Sequence, residues 1–216
     1  MRRGKPADEA RDLRVARRLA VLHEELTACR ACPDMHPPVV VGPPVPSRVL
    51  LVGQAPGARE GDLGRPFAWT AGKRLFGWLE RAIGADEATV RARVYIAAVA
   101  RCFPGKARSG GDRRPSPAEV ERCQVHLARE VGLLEPRLVI AVGTLAIERV
   151  LGRARPLVDV VGPRLRARWL GADVDVVCLP HPSGASTWHR ADPGKRLLEV
   201  ALGSLAAHPE VRRVFA

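Results

Sequence analysis

Residues 48–53 of this chain read RVLLVG, and the next four residues read QAPG. A short apolar run closed by glycine is typical of a buried strand in a parallel sheet. The glycines at positions 53 and 57 let the backbone approach a ligand closely and leave N–H groups exposed. This stretch therefore predicts a strand followed by a candidate binding loop.

Three other short apolar runs have the same character, at residues 94–99, 138–142 and 174–179. Segments with apolar residues at helical spacing lie between them, and Ser116, Pro117 and Glu119 form an N-cap pattern ahead of one such helix. This alternation predicts a three-layer α/β/α fold with a central four-stranded parallel sheet. The active site of such a fold lies beyond the carboxyl ends of the strands.

The chain has 216 residues, of which 46% are hydrophobic, enough for one buried core. We expect a single domain over residues 1–216, opening with a helix at residues 6–27. Residues 106–114 are polar and rich in glycine and arginine, which predicts a mobile loop.

Thirty-five lysines and arginines against 23 aspartates and glutamates give a formal charge of +12. Such an excess attracts polyanions such as nucleic acid, although an arginine-rich solvated surface would have the same composition. No apolar run approaches the length of about 20 residues that spans a bilayer. The basic stretch at residues 1–5 has no apolar segment after it, so we expect no secretion signal and a cytoplasmic location.

Clustered thiols in a chain without a secretion signal favour metal binding over disulfides. Cys29 and Cys32 form a Cys-x-x-Cys pair, and Cys102 and Cys123 complete a candidate set of four ligands. Cys178 lies inside an apolar run and is expected in the core. The spacing alone leaves zinc and an iron–sulfur cluster as alternatives.

Three side chains near predicted strand ends carry candidate chemistry. Glu60 can orient or deprotonate water, Phe67 can stack on a planar ring, and His181 can hydrogen-bond a developing anion. A glycine-rich loop after a strand is more often a plain turn, and His181 could simply cap the end of a strand.

In their order along the chain, these pieces resemble the uracil-DNA glycosylase superfamily, in particular its iron–sulfur branches. The resemblance covers roughly residues 29–205. Its motifs are Cys29-x-x-Cys32, GQAPG at 53–57, GRPF at 64–67, VARCFP at 99–104, PSP at 115–117 with Glu119 and Cys123, and HPS at 181–183.

The resemblance implies hydrolysis of the base–sugar bond of uracil in DNA, single- or double-stranded, as part of base-excision repair. It implies no membrane association, and we expect a monomer. It also implies a [4Fe–4S] cluster held by Cys29, Cys32, Cys102 and Cys123, with zinc as the alternative.

The resemblance further implies a role for each site residue. Phe67 looks like the ring that stacks on the extruded base, and His181 like the group that stabilises the departing uracil anion. Gln54 and Glu60 are the candidates for handling water. The base-contacting loop comprises Gly53, Gln54, Ala55, Pro56 and Gly57. Ser183 would contact DNA within a minor-groove loop at residues 182–188, where Trp188 is a better wedge than the small Ala185.

Two positions depart from the thermophile-type branch, called family four. That branch usually has glutamate at the position of Gln54 and asparagine at the position of Ala98. The alanine at position 98 is similar to the residue found in family five, a branch that accepts a wider range of damaged bases. One alternative is therefore a glycosylase that prefers hypoxanthine or xanthine. Others are a non-catalytic DNA-binding relative with a structural metal site and a zinc-stabilised α/β hydrolase.

Overall fold

The computed structural model describes residues 6–108, 110–184 and 186–216. The basic stretch at residues 1–5, Ser109 in the predicted mobile loop and Ala185 in the predicted minor-groove loop lie outside the described residues. No described helix combines the length and the apolar character needed to cross a membrane.

One five-stranded sheet forms the centre of the fold, with strand order β2-β1-β3-β5-β4. Its strands are β1 (Val49–Gly53), β2 (Tyr95–Ala98), β3 (Leu138–Val142), β4 (Arg164–Trp169) and β5 (Ala172–Leu179). β1, β2, β3 and β5 are parallel, as the sequence predicts, and β4 pairs antiparallel with β5. The α/β fold class is confirmed, with one strand more than expected.

The helices follow the strands in the alternation that the sequence predicts. They are α1 (Pro6–Thr27), α2 (Glu60–Leu63), α3 (Thr70–Ile83), α4 (Glu87–Arg93), α5 (Pro117–Leu134), α6 (Thr144–Leu151), α7 (Leu157–Val160), α8 (Gly194–Ala206) and α9 (Pro209–Phe215). At the start of α5, Ser116 and Glu119 form the predicted capping box, in which each side chain accepts from the other residue's backbone N–H.

Helices cover both faces of the sheet. Val49 and Leu51 pack beside residues of α3, α8 and α9 on one face. Tyr95 of β2 points to the other face, where its hydroxyl hydrogen-bonds His23 of α1 at 2.7 Å. Because every residue of β1 and β3 is buried, the sheet's centre is apolar on both sides. The buried side chains form a contiguous core cluster from α1 to α9.

The strand that the sequence analysis missed, β4, is charged. Arg164, Arg166 and Arg168 alternate with less exposed residues along it, and Arg166 and Arg168 pair with Asp175 and Asp173 of β5. An edge strand needs only one apolar side, so it lacks the continuous apolar run that marks a central strand. This strand closes the sheet at the edge opposite β2.

Candidate active site and four-cysteine cavity

Gly53 ends β1 and Gly143 directly follows the neighbouring strand β3, and each glycine leaves room for a predicted site residue. A Cβ atom on Gly53 would lie 2.5 Å from the Phe67 ring, and one on Gly143 would lie 3.0 Å from the His181 ring. Adjacent strands are only about 5 Å apart. Phe67 and His181 therefore lie over neighbouring strand ends at the same edge of the sheet.

The backbone of Phe67 is held in an unusual conformation. Its φ angle is +54°, in the left-handed region that favours glycine. The buried Arg91 of α4 donates to the carbonyl oxygens of Phe67 and Pro66, each at 2.9 Å. Glu87 accepts from the Nε of Arg91 at 2.8 Å, which fixes the guanidinium. These contacts hold the Phe67 ring above Gly53.

Glu60 joins the two loops of the site. One carboxylate oxygen accepts from the N–H of Gly57 and the other from the N–H of Ala68, both at 3.1 Å. The side chain is buried, and this burial raises the pKa of its carboxyl group above the ordinary value. Glu60 thus fixes the GQAPG loop against the loop that carries Phe67.

His181 is partly buried just after β5, and its Nδ1 accepts from the N–H of Ser183 at 3.2 Å. Burial lowers the pKa of the imidazole below its ordinary value, while the nearby Asp112 carboxylate opposes that shift. A neutral imidazole whose Nδ1 accepts a hydrogen bond carries its proton on Nε2. His181 is therefore a neutral donor through Nε2.

Asp112 is a site residue that the sequence analysis missed. Its Oδ2 lies 3.3 Å from the Cβ position of Gly57, and its charge affects both Glu60 and His181. Its segment folds back as a hairpin in which Lys106 pairs with Asp112 by a β-bridge and by a salt bridge of 2.6 Å. In sequence, this segment has only a polar, glycine-rich pattern, so no local signal identifies Asp112.

Gln54 lies in the same loop and is partly buried. Its carbonyl oxygen accepts from Ala100, which fixes its backbone, and no hydrogen bond ties its side-chain amide to another described residue. Ala98 pairs in register with Gly53 at the end of β2. This position has no polar side chain with which to read a ligand. Ala55 and Pro56 complete the loop beside Gln54.

The serine loop follows His181. Arg74 of α3 donates to the carbonyl of Pro182 at 2.5 Å, and Arg190 donates to the carbonyl of Gly184 at 3.2 Å. Trp188 is partly buried and packs against the core, where its carbonyl lies 1.9 Å from the Cβ position of Gly194. Packing makes Trp188 a poor candidate for a wedge, and Ser183 remains partly exposed.

Cys29, Cys32, Cys102 and Cys123 line a single cavity of about 230 Å³. They come from the segment after α1, the segment after β2 and the helix α5. Burial is the main cause of the raised pKa of the Cys102 thiol, and the neighbouring thiols of Cys32 and Cys29 raise it further. Among the described residues, no three histidine, cysteine or acidic side chains converge closely enough to hold one metal ion.

A buried ion pair lies behind these thiols. Arg101 contacts Glu130 of α5 and donates to the carbonyl of Ala98 at 3.0 Å. Its charge also lowers the pKa of Cys123, although burial has the larger effect and raises that pKa to about 11. The cavity thus has four thiols and an adjacent positive charge. Cys178 is fully buried in β5, as expected of a core cysteine.

The fold and these loops define an α/β protein with a polar site at the carboxyl ends of its parallel strands. The model of the uracil DNA glycosylase superfamily matches residues 39–204. A type-4 uracil-DNA glycosylase of Pyrobaculum aerophilum is 35% identical over 172 residues, covering 76% of this chain and 83% of that protein. A type-4 enzyme of Thermotoga maritima is 30% identical over 170 residues, covering 76% and 81%.

A type-5 uracil-DNA glycosylase of Pyrobaculum aerophilum is 32% identical over 126 residues, covering 51% of this chain and 53% of that protein. The chain belongs to the uracil-DNA glycosylase superfamily. The resemblance to its fourth family, with features of the fifth, is confirmed.

Replacing Arg91 tests the support of Phe67. Arg91→Met should lower the free energy of unfolding by about 2 to 3 kcal/mol, because two buried carbonyls lose a charged donor. Denaturant unfolding followed by circular dichroism measures the change. Arg93→Met is the matched control on the same helix, where an exposed arginine donates to the carbonyl of Val214. Equal losses in the two variants would contradict the assignment.

Proposed function

We propose that this chain hydrolyses the N-glycosidic bond of uracil in DNA and leaves an abasic site. The observation that carries the proposal is the placement of two rings over the ends of adjacent strands: the His181 imidazole, whose Nδ1 accepts from Ser183, and the Phe67 ring. The relatives named above are uracil-DNA glycosylases, and the charge of +12 suits a DNA substrate.

A base inside a duplex is out of reach, so it must be extruded at a cost of a few kcal/mol. The Phe67 ring is largely buried, with 9% of the residue exposed. A planar base that enters the site would stack on this exposed part of the ring. In the GQAPG loop, the N–H groups of Gln54 and Ala55 would contact the base, because the N–H of Gly57 donates to Glu60 and Pro56 has none. The partly exposed Ser183 hydroxyl would contact a phosphate. Glu60 and Arg91 act as positioning residues that keep this surface in place.

Cleavage builds negative charge on the departing base and positive charge on the sugar. His181 donates its Nε2 hydrogen bond to the uracil oxygen on which the negative charge develops. Ser183 supports this donation, because its N–H occupies Nδ1 and so selects the tautomer. A donor in place before the reaction needs no reorganisation as the charge appears.

The attacking water needs a polar group on the sugar side. Asp112 has the better position, because it is partly exposed and adjoins Gly57, whereas both oxygens of Glu60 already accept backbone N–H groups. A carboxylate can hold the water, take its proton and stabilise the sugar cation. Gln54 has a free amide that can orient the water or the base but cannot take a proton.

A wider range of substrates is the second candidate function. Ala98 lies at the strand end beside Gly53 without a polar side chain. Discrimination between bases then depends on the loop backbone and on Gln54. This arrangement favours acceptance of hypoxanthine or xanthine besides uracil.

The four-cysteine cavity is proposed to hold a [4Fe–4S] cluster. The four cysteines line one cavity of about 230 Å³, which has room for a multi-atom group as well as for a single ion. Arg101 would balance part of the negative charge of four thiolates. When bound, the cluster would cross-link the segment after α1 to β2 and α5, so its binding contributes to folding.

His181→Ala tests the proposed activity. Wild-type protein should produce alkali-labile sites in oligonucleotides with a single uracil, and the variant should do so about 100- to 1000-fold more slowly. Binding to the same DNA should change little, because the hydrogen bond forms mainly in the transition state. The exposed His36→Ala is the control. Uracil, hypoxanthine and xanthine substrates compared side by side measure the range, and no cleavage of any of them would refute the proposal.

The pH profile provides a second measure of the same donor. The lowered pKa of His181 keeps the imidazole neutral as the pH falls through about 6.5, the ordinary histidine value. The excision rate should therefore stay level there and fall only at more acidic pH, when Nδ1 gains a proton and loses the Ser183 contact. A fall centred above pH 6.5 would contradict a neutral donor.

Asp112→Ala should lower the single-turnover excision rate about 100-fold, because the water loses its carboxylate. Asp112→Asn should lower this rate less, because asparagine can still orient the water. If the base departs before the water attacks, the water needs little help from a base. Asp62→Ala is the control for an exposed aspartate in the nearby helix α2. An unchanged rate for Asp112→Ala would contradict this role and leave Gln54 or Glu60 as the residue that holds the water.

Cys29→Ser should remove the brown colour and the bound iron and lower the melting temperature, since the cluster cross-links distant segments. Cys178→Ala is the matched control, and it should keep the iron because Cys178 lies in β5, outside the cavity. Iron, sulfide and zinc analysis with visible absorption measures both. Stoichiometric zinc in a colourless wild-type protein would refute the cluster.

A further inference from the structure

Trp69 is unusually exposed. It retains 48% of its accessible surface, whereas Trp78 and Trp169 are buried and Trp188 packs on the core. Single exposed apolar residues are common on protein surfaces, so the exposure of Trp69 gains its meaning from the position of the ring. No part of the mechanism proposed above uses this ring.

Trp69 lies beside the proposed base-binding site. It follows Phe67 by two residues and directly precedes α3. The Arg59 guanidinium carbon lies 5.8 Å from the centre of the Trp69 ring, a cation–π distance. Glu60 ties the two loops together through Gly57 and Ala68. The Arg59–Trp69 pair is therefore attached to the same framework that positions Phe67.

The surroundings of the ring favour a nucleic-acid ligand over an apolar protein surface. Between residues 59 and 73, three cationic side chains are exposed: Arg59, Arg65 and Lys73. Asp62 is the one exposed acidic residue in this segment. Aromatic rings combined with arginines bind bases by stacking, while the charge attracts the phosphates. Leu63 is also exposed on this segment, but two apolar side chains among cations are too small a patch for a stable protein interface.

We propose that Trp69 stacks on a base adjacent to the extruded nucleotide in the substrate DNA. This inference rests on the proposed function and adds a contact outside the base pocket. Extrusion leaves the neighbouring base without one stacking partner, and the indole ring replaces it. Arg59 supports the Trp69 ring through the cation–π contact and binds the phosphate backbone of the DNA. Trp69 thereby contributes to holding DNA in the opened state.

The experiment measures binding to a duplex that contains 2′-fluoro-2′-deoxyuridine, in which the fluorine disfavours the sugar cation and prevents cleavage. Further duplexes replace the 5′ or the 3′ neighbour of that nucleotide with an abasic analogue. Wild type, Trp69→Ala and Trp69→Phe are compared, with Val200→Ala as the control for an exposed apolar residue in α8. Circular dichroism and melting temperature check that each variant is folded.

Trp69→Ala should weaken binding to the intact duplex about tenfold, and Trp69→Phe should weaken it less. Removing the neighbouring base on one side should weaken wild type by a similar factor and leave Trp69→Ala nearly unchanged. Equal sensitivity of both proteins to the missing base overturns the stacking, as does unchanged binding by Trp69→Ala.

Excision of ordinary uracil by the same wild-type preparation separates this inference from the proposed function. Normal excision together with either overturning result rejects the role of Trp69 alone. The expected binding pattern in a protein that removes no base supports the role of Trp69 and rejects the glycosylase activity.

Discussion

The absence of side chains at the ends of β1 and β3 is the constraint on which the site depends. Gly53 ends β1, Gly143 directly follows the neighbouring parallel strand β3, and a Cβ atom at either position would press on the ring of Phe67 or His181. Two different loops can therefore place their functional rings directly over the sheet. The sheet supplies a rigid floor, and the spacing of adjacent strands brings the two loops over neighbouring positions on it.

Buried charged groups fix the loops above that floor. Glu60 joins two loops through their N–H groups, and Arg91 holds two carbonyls while Glu87 holds Arg91. Beside the cysteine cavity, Arg101 pairs with Glu130 and donates to the carbonyl of Ala98, which fixes the chain after β2. Burying a charge is costly unless it is paired and hydrogen-bonded, so each group stabilises one loop arrangement over its alternatives.

Much of the fold could be predicted because its signals are local. The apolar runs gave the four parallel strands, and Ser116 with Glu119 gave the start of α5. The antiparallel strand was not predicted, because one side of it is a row of arginines. For the site, residue types and motifs identified Phe67, His181 and the cysteines. Asp112 and Arg91 depend on contacts between distant segments, for which a single sequence has no signal.

The row of arginines on β4 also affects how copies of this chain behave toward one another. A free edge strand exposes unpaired backbone groups to which a strand of another molecule could add. If β4 of a second copy paired with this edge, its Arg164, Arg166 and Arg168 would lie beside the same three arginines of the first copy. Like charges facing each other across strands are destabilising. The strand thus disfavours sheet-to-sheet aggregation while the protein is folded and concentrated.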